Sequence, residues 1–134
     1  MNWATLYSIT VRSYSIAQFP LPIIVVNRKH APARRTFTLL HELTHILLRS
    51  SGVCVVDIRP GSSQPDQRIE AFCNHVAGAA LVPKRSLISH AVLHSHGSDP
   101  AWRDDELRQL AKVFGVSRDV VLRRILILGR TSEA

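Results

Sequence analysis

The stretch "FTLLHELTHILLRS", residues 37–50, decides how this chain is read. Two histidines and a glutamate stand in the middle of a run made otherwise almost wholly of leucine, isoleucine and threonine. On a helix, His41 and His45 are one turn apart and share a face, so their imidazoles can converge on one metal ion. Glu42 lies about 100° round from His41, close enough to reach a water on that ion without binding the ion itself. Zinc peptidases divide the work in this way. The metal acidifies water and polarises the scissile carbonyl, and the glutamate takes the proton and passes it to the leaving amine. The same five-residue pattern also arises by chance in long helices. Here Leu39, Leu40, Leu43, Ile46, Leu47 and Leu48 flank it, which predicts a helix from about Thr36 to Arg49, apolar on nearly every face and therefore interior. A buried carboxylate without a cationic partner is costly, and zinc would supply the compensation.

A catalytic zinc takes three protein ligands and keeps one open position. The downstream candidates are Asp57, Asp66, Glu70, Cys73, His75, His90, His94 and His96. Glu70 is the preferred one. It falls in the first turns of a second helix, beside the apolar stripe and not within it, so packing against the first helix can point it at the metal. The plainer reading is a solvated carboxylate that favours its helix N-terminus. Asn74, one turn further along the same edge, is placed to orient a ligand. Cys73 lies on the core stripe and reads as a small packed hydrophobe. His94 and His96 read as loop residues and His75 as exposed.

Upstream, residues 5–19 alternate loosely among Tyr, Ile, Val, Thr and Ser and suggest a strand, and "PIIVV" (22–26) reads as a short buried strand. "NRKHAPARR" reads as a polar loop. Downstream, "GVCVVDIRPGSSQPDQ" gives a short β-like run and then a Gly/Ser/Pro loop. The second helix is expected to start near Pro65 or Asp66, with Ile69, Phe72, Cys73, Val76, Ala77 and Ala80 on its apolar side and Pro83 ending it. "KRSLISHAVLH" is expected to form one more short helix and "SHGSDP" a loop. Two helices close the chain, with Gly115 and Gly129 as C-terminal stops and Ser117 as an N-cap. At 134 residues the chain reads as one helix-heavy α+β domain, 1–134, with the helical pair 103–130 part of it.

Apolar residues at 46% and charged residues at 20% exclude a disordered chain. No apolar run reaches the span of a bilayer, and the N-terminal segment lacks the pattern of an export signal. Two cysteines are too few for a disulfide framework, so a reduced, cytoplasmic setting is expected. The formal charge is +7, and no Asp or Glu precedes Glu42. Such an excess attracts nucleic acid or an acidic protein surface.

"FTLLHELTHILL" followed by "IEAFCNHVAGAALVP" resembles the ImmA/IrrE family of zinc metallopeptidases, with its H-E-x-x-H and E-x-x-A-N-x-F-A motifs ending in Leu-x-Pro. The resemblance covers roughly residues 20–130. It implies a zincin-like, gluzincin-type core, with His41, His45 and Glu70 holding Zn2+, Glu42 as general base and Asn74 in support. Thr44, Cys73 and Val76 depart from the Gly, Ala and Phe frequent in the family; none is a ligand or the base, and they bear on how closely the two helices pack. It also implies a protein substrate, a separate helix-turn-helix repressor in a phage, mobile-element or stress-response system, and so a part in transcription regulation. An alternative is a regulatory metalloprotein that binds repressor or DNA without cutting. "LAKVFGVSRDVVLRRI" reads like a helix-turn-helix, in which Ser117 and Arg118 would face bases and Arg123 and Arg124 phosphates. Packing of that pair against the core, with both arginines at the surface, is the competing expectation.

Overall fold

The structure, a computed structural model, describes residues 13–18, 20–49, 52–54, 64–97 and 99–131. Strands β1 (Ser13–Ile16), β2 (Ile23–Val26) and β3 (Gly52–Cys54) form an antiparallel sheet in the order β2-β1-β3. Ser13 lies across from Val26 on one side and Cys54 on the other. Helix α1 (Pro32–Leu47) lies between β2 and β3, and α2 (Gln64–Leu81), α3 (Lys84–Ile88), α4 (Ala91–His96), α5 (Asp104–Phe114) and α6 (Arg118–Ile127) come after β3. The α+β, helix-rich expectation holds. No helix among the described residues is long and apolar enough to cross a membrane.

Several local expectations need correction. The strand expected over 5–19 is present as β1, and its residues before Ser13 lie outside those described. "PIIVV" does form a strand, but β2 is an edge strand with Ile23 and Val25 on the exposed side, so its β-branched run reflects pairing geometry and not burial on both faces. The "ARR" of the expected loop belongs to α1, which Pro32 opens; proline has no N–H to lose at that position. "KRSLISHAVLH" divides into α3 and α4, because the His90 ring accepts the Val92 N–H and restarts the helix. His94 and His96 therefore sit on α4, not in a loop.

The largest correction concerns α1. Its buried residues are His41, Glu42, Thr44 and His45, while Leu39, Leu43, Leu47 and Leu48 are exposed. The helix is not sunk in an apolar interior. It turns its polar stripe inward, between α2 and strand β1, and leaves leucines outside. On α2 the apolar side is narrower than expected: Cys73 and Ala77 are fully buried, but Phe72 and Ala80 face solvent.

The apolar core lies further on, where Val82, Leu87, Val92, Leu110, Val121 and Ile125 cluster at the end of α2 and among α3 to α6. Gly115, with φ 63°, closes α5 in the left-handed conformation that glycine adopts without penalty. The Ser117 hydroxyl oxygen accepts the Val120 N–H and caps α6. Arg124, expected at the surface, is instead buried on α6. Its Nε donates to the Val82 carbonyl at 3.1 Å, and its stem rests on Gly78. A buried guanidinium thus meets an orphan carbonyl just past the end of α2 and fastens α6 to it. Arg124→Met should cost about 2 kcal/mol, the range for a charged buried hydrogen bond. Arg123→Met, on the exposed face, should stay within about 0.5 kcal/mol. Urea unfolding midpoints would show the contrast.

Candidate metal centre

Two helices bring the three ligand candidates together. His41 and His45 come from the buried stripe of α1, and Glu70 reaches across from the second turn of α2. Nε2 of His41 stands 3.2 Å from Glu70 Oε2, Nε2 of His45 stands 3.0 Å from Glu70 Oε1, and the two Nε2 atoms are 3.1 Å apart. All three residues can place a ligand atom within 4.8 Å of one another. Bond lengths of about 2.0–2.1 Å around a tetrahedral zinc set neighbouring ligand atoms about 3.3 Å apart. The two imidazole nitrogens already stand near that spacing, and each faces a different oxygen of the Glu70 carboxylate at a similar distance.

Protonation supports the same fit. His41 Nδ1 lies 3.1 Å from Asn74 Oδ1. With that oxygen as acceptor, a neutral His41 carries its proton on Nδ1 and turns the lone pair of Nε2 toward Glu70 and His45. Without a metal, a ring that instead carries a proton on Nε2 donates to Glu70. That hydrogen bond from His41 holds the carboxyl below its ordinary value against partial burial, and the charges of His41 and His45 add to it. A cation would take the place of those protons. The donor set is two nitrogens and one carboxylate oxygen, which suits a divalent transition metal. The histidine side chains are 5% and 3% exposed and that of Glu70 is 41% exposed, so the site is walled on one side and open on the other.

Glu42 is fully buried beside this cluster. Its Oε1 accepts a hydrogen bond from Ser13 Oγ at 2.5 Å, and its Oε2 has no hydrogen-bond partner among the described residues. An orphaned carboxylate oxygen in the interior is costly. A cation held by His41, next to Glu42 on α1, and by His45 and Glu70 would offset that charge. The residues present fit a metal.

Of the other candidates, Cys73 is buried, as expected, and His75 is exposed. Among the described residues the one group able to hold an ion is His41, His45 and Glu70, so His90, His94 and His96 are not brought to it. Asp57 and the side chain of Asp66 lie outside the described residues. The family departures are accommodated: the Thr44 hydroxyl folds back onto the Leu40 carbonyl at 2.8 Å, and Cys73 packs with no exposure.

Sequence reasoning missed Ser13, whose alternation with Ser15 on a strand was the faint signal available. It also missed the role of His96. Nδ1 of His96 is 3.0 Å from Glu106 Oε2, Nε2 is 2.8 Å from the Asp99 carbonyl, and the ring stacks on Trp102 at 3.7 Å. Burial pulls the pKa of His96 down, but the Glu106 hydrogen bond and the Asp99 carbonyl outweigh it and the net direction is up. Burial pushes Glu106 up, but the Arg103 backbone N–H and His96 outweigh it and the net direction is down. A raised histidine stabilises fully below its unfolded value of 6.5 and loses that contribution as pH climbs through the folded value. A lowered glutamate contributes fully above 4.5 and loses it as pH falls through the folded value. The pair is therefore strongest between those two limits. His96→Gln should flatten the decline of Tm from pH 6 to pH 9, measured by calorimetry.

The family model described as the IrrE N-terminal-like domain, peptidase M78, matches residues 4–126. The chain belongs to the ImmA/IrrE family. A curated member, the radiation response metalloprotease IrrE of Deinococcus radiodurans, is 34% identical over 64 residues, which is 46% of this chain and 20% of that protein. The chain thus spans about a fifth of the length of the curated relative it matches. No solved structure matches it. A peptidase family of this kind implies a metal ion and a protein substrate, in keeping with the His-His-Glu cluster.

Proposed function

We propose that the chain is a zinc-dependent endopeptidase with a zincin-like core, one domain over 1–134, in which His41, His45 and Glu70 hold the metal, Asn74 orients His41, and Glu42 is the general base. The observation that carries this reading is the pairing of three converging lone-pair donors with a fully buried carboxylate whose second oxygen is unpartnered. When bound, a divalent cation supplies Lewis acidity, which acidifies water and polarises a peptide carbonyl. Glu42 then takes the proton of the attacking water and returns it to the departing amine nitrogen. The burial of the two histidines and of Glu42 keeps bulk water from competing for these groups, and the exposed flank at Glu70 leaves the way in for a polypeptide. An entering chain has to be extended or locally unfolded, because a helix hides its carbonyls in its own hydrogen bonds.

The substrate proposed is a helix-turn-helix repressor encoded beside this protein, and the setting is cytoplasmic regulation of transcription. The similarity to a radiation response metalloprotease supports a stress-response role. The non-cutting, DNA-binding alternative is weakened by the tail. Arg124 is buried, Arg118 is engaged by Asp104, and the Ser117 hydroxyl oxygen caps its own helix. Incubation with the adjacent repressor, with zinc and with a chelator, followed by mass spectrometry, tests the reading. Fragments that appear only with metal are expected; intact repressor under every metal tried would refute it.

A further inference from the structure

The two oxygens of Glu42 are not equivalent. Oε1 takes the Ser13 hydroxyl hydrogen at 2.5 Å, at the short end for a hydroxyl on a charged acceptor, while Oε2 has no partner among the described residues. We propose that Ser13 is a positioning residue which occupies Oε1 and thereby assigns proton transfer to Oε2. This rests on the reading of Glu42 as the base.

Three features suit Ser13 to that role. Strand β1 is the middle strand, bonded to β2 and β3 in register, so the Cα of Ser13 is held from both sides. Ser13 is 3% exposed and Glu42 fully buried, so water does not displace the hydroxyl. A hydroxyl also orients a carboxylate without bringing a charge; a lysine or arginine in its place would form an ion pair and blunt the basicity that the reaction needs. The proton account closes. An O–H bond of the attacking water breaks as Oε2–H forms. When the peptide C–N bond breaks, that hydrogen moves to the amine nitrogen and Glu42 is again a carboxylate. Ser13 keeps its own proton throughout, donating to Oε1 in both states of the acid.

Ser15 provides the control. It lies two residues along the same strand, 1% exposed, and its hydroxyl has no partner among the described residues. In the metal-free protein, proton NMR should show a slowly exchanging downfield hydroxyl proton that disappears in Ser13→Ala and in Glu42→Ala and persists in Ser15→Ala. With zinc bound, Ser13→Ala should lower kcat about 10- to 100-fold, the scale for a misaligned catalytic group, with KM and zinc content changed less than about twofold. Ser13→Thr, which keeps the hydroxyl and suits a strand, should restore most of the loss, and Ser15→Ala should match the parent. A parent-like kcat in Ser13→Ala, an equal loss in Ser15→Ala, or no protected hydroxyl proton overturns the proposal. A parent protein that cleaves nothing while showing that proton overturns the base role through the peptidase reading, and leaves the hydrogen bond standing.

Discussion

Glu42→Gln is expected to lower peptide cleavage about 10²- to 10⁴-fold, the usual contribution of a general base, while the protein keeps its metal. The amide has the shape of the carboxylate and can still accept the Ser13 hydroxyl through its oxygen. It cannot take a proton from water, and it turns an NH2 group where Oε2 had free lone pairs. Because His41, His45 and Glu70 are untouched, zinc content measured by mass spectrometry should equal that of the parent. The same change should raise the Tm of the metal-free protein. Glu42 is fully buried, and among the described residues a single hydroxyl is its hydrogen-bond partner; a neutral amide removes the cost of an interior charge. Lower activity joined to higher stability is the signature of a group kept for chemistry at the expense of the fold. A variant that lost its zinc, or that cleaved at the parent rate, would show Glu42 to be a ligand or a bystander.

Glu70→Ala should weaken zinc binding by more than about 10²-fold, beyond the 10- to 100-fold typical of losing an outer partner. Glu70 supplies both the anionic donor and the contact that spans the two helices, with one oxygen on each histidine at 3.2 and 3.0 Å. Its removal leaves two imidazoles, too few to saturate a tetrahedral ion. Asn74→Ala, which frees Nδ1 of His41 without touching a ligand atom, should fall inside the 10- to 100-fold band. Competition with a chromophoric chelator ranks the three proteins. Metal-linked stabilisation should follow the same order, since an ion that binds only the folded state stabilises it, at free-ion concentration c, by RT ln(1 + c/Kd), which falls as Kd rises. Equal affinity in Glu70→Ala and the parent would transfer the third-ligand role to another residue.

The match between chain and structure is uneven for a physical reason. Spacing on a helix is a local property, so residues four apart share a face whatever surrounds them. That alone placed His41 beside His45, put Glu42 between them, and set Glu70 and Asn74 on one edge of α2. Caps and stops are equally local: a serine hydroxyl meets the N–H groups of its own first turn, and a glycine accepts positive φ without a partner. Local spacing and caps therefore marked most of the helices, the candidate ligand pair, the proposed base and the family. Which face of a helix is buried depends on what the neighbouring elements offer, and that is decided only on assembly. A leucine-rich α1 predicted an apolar interior, yet the neighbours of α1 offered a hydroxyl on β1 and a carboxylate and an amide on α2, so the polar stripe turned inward. Ser13 and Glu42 are 29 residues apart and Arg124 and Val82 are 42 apart. Nothing local marks either pair, because each contact exists only once the sheet and helices have closed around it.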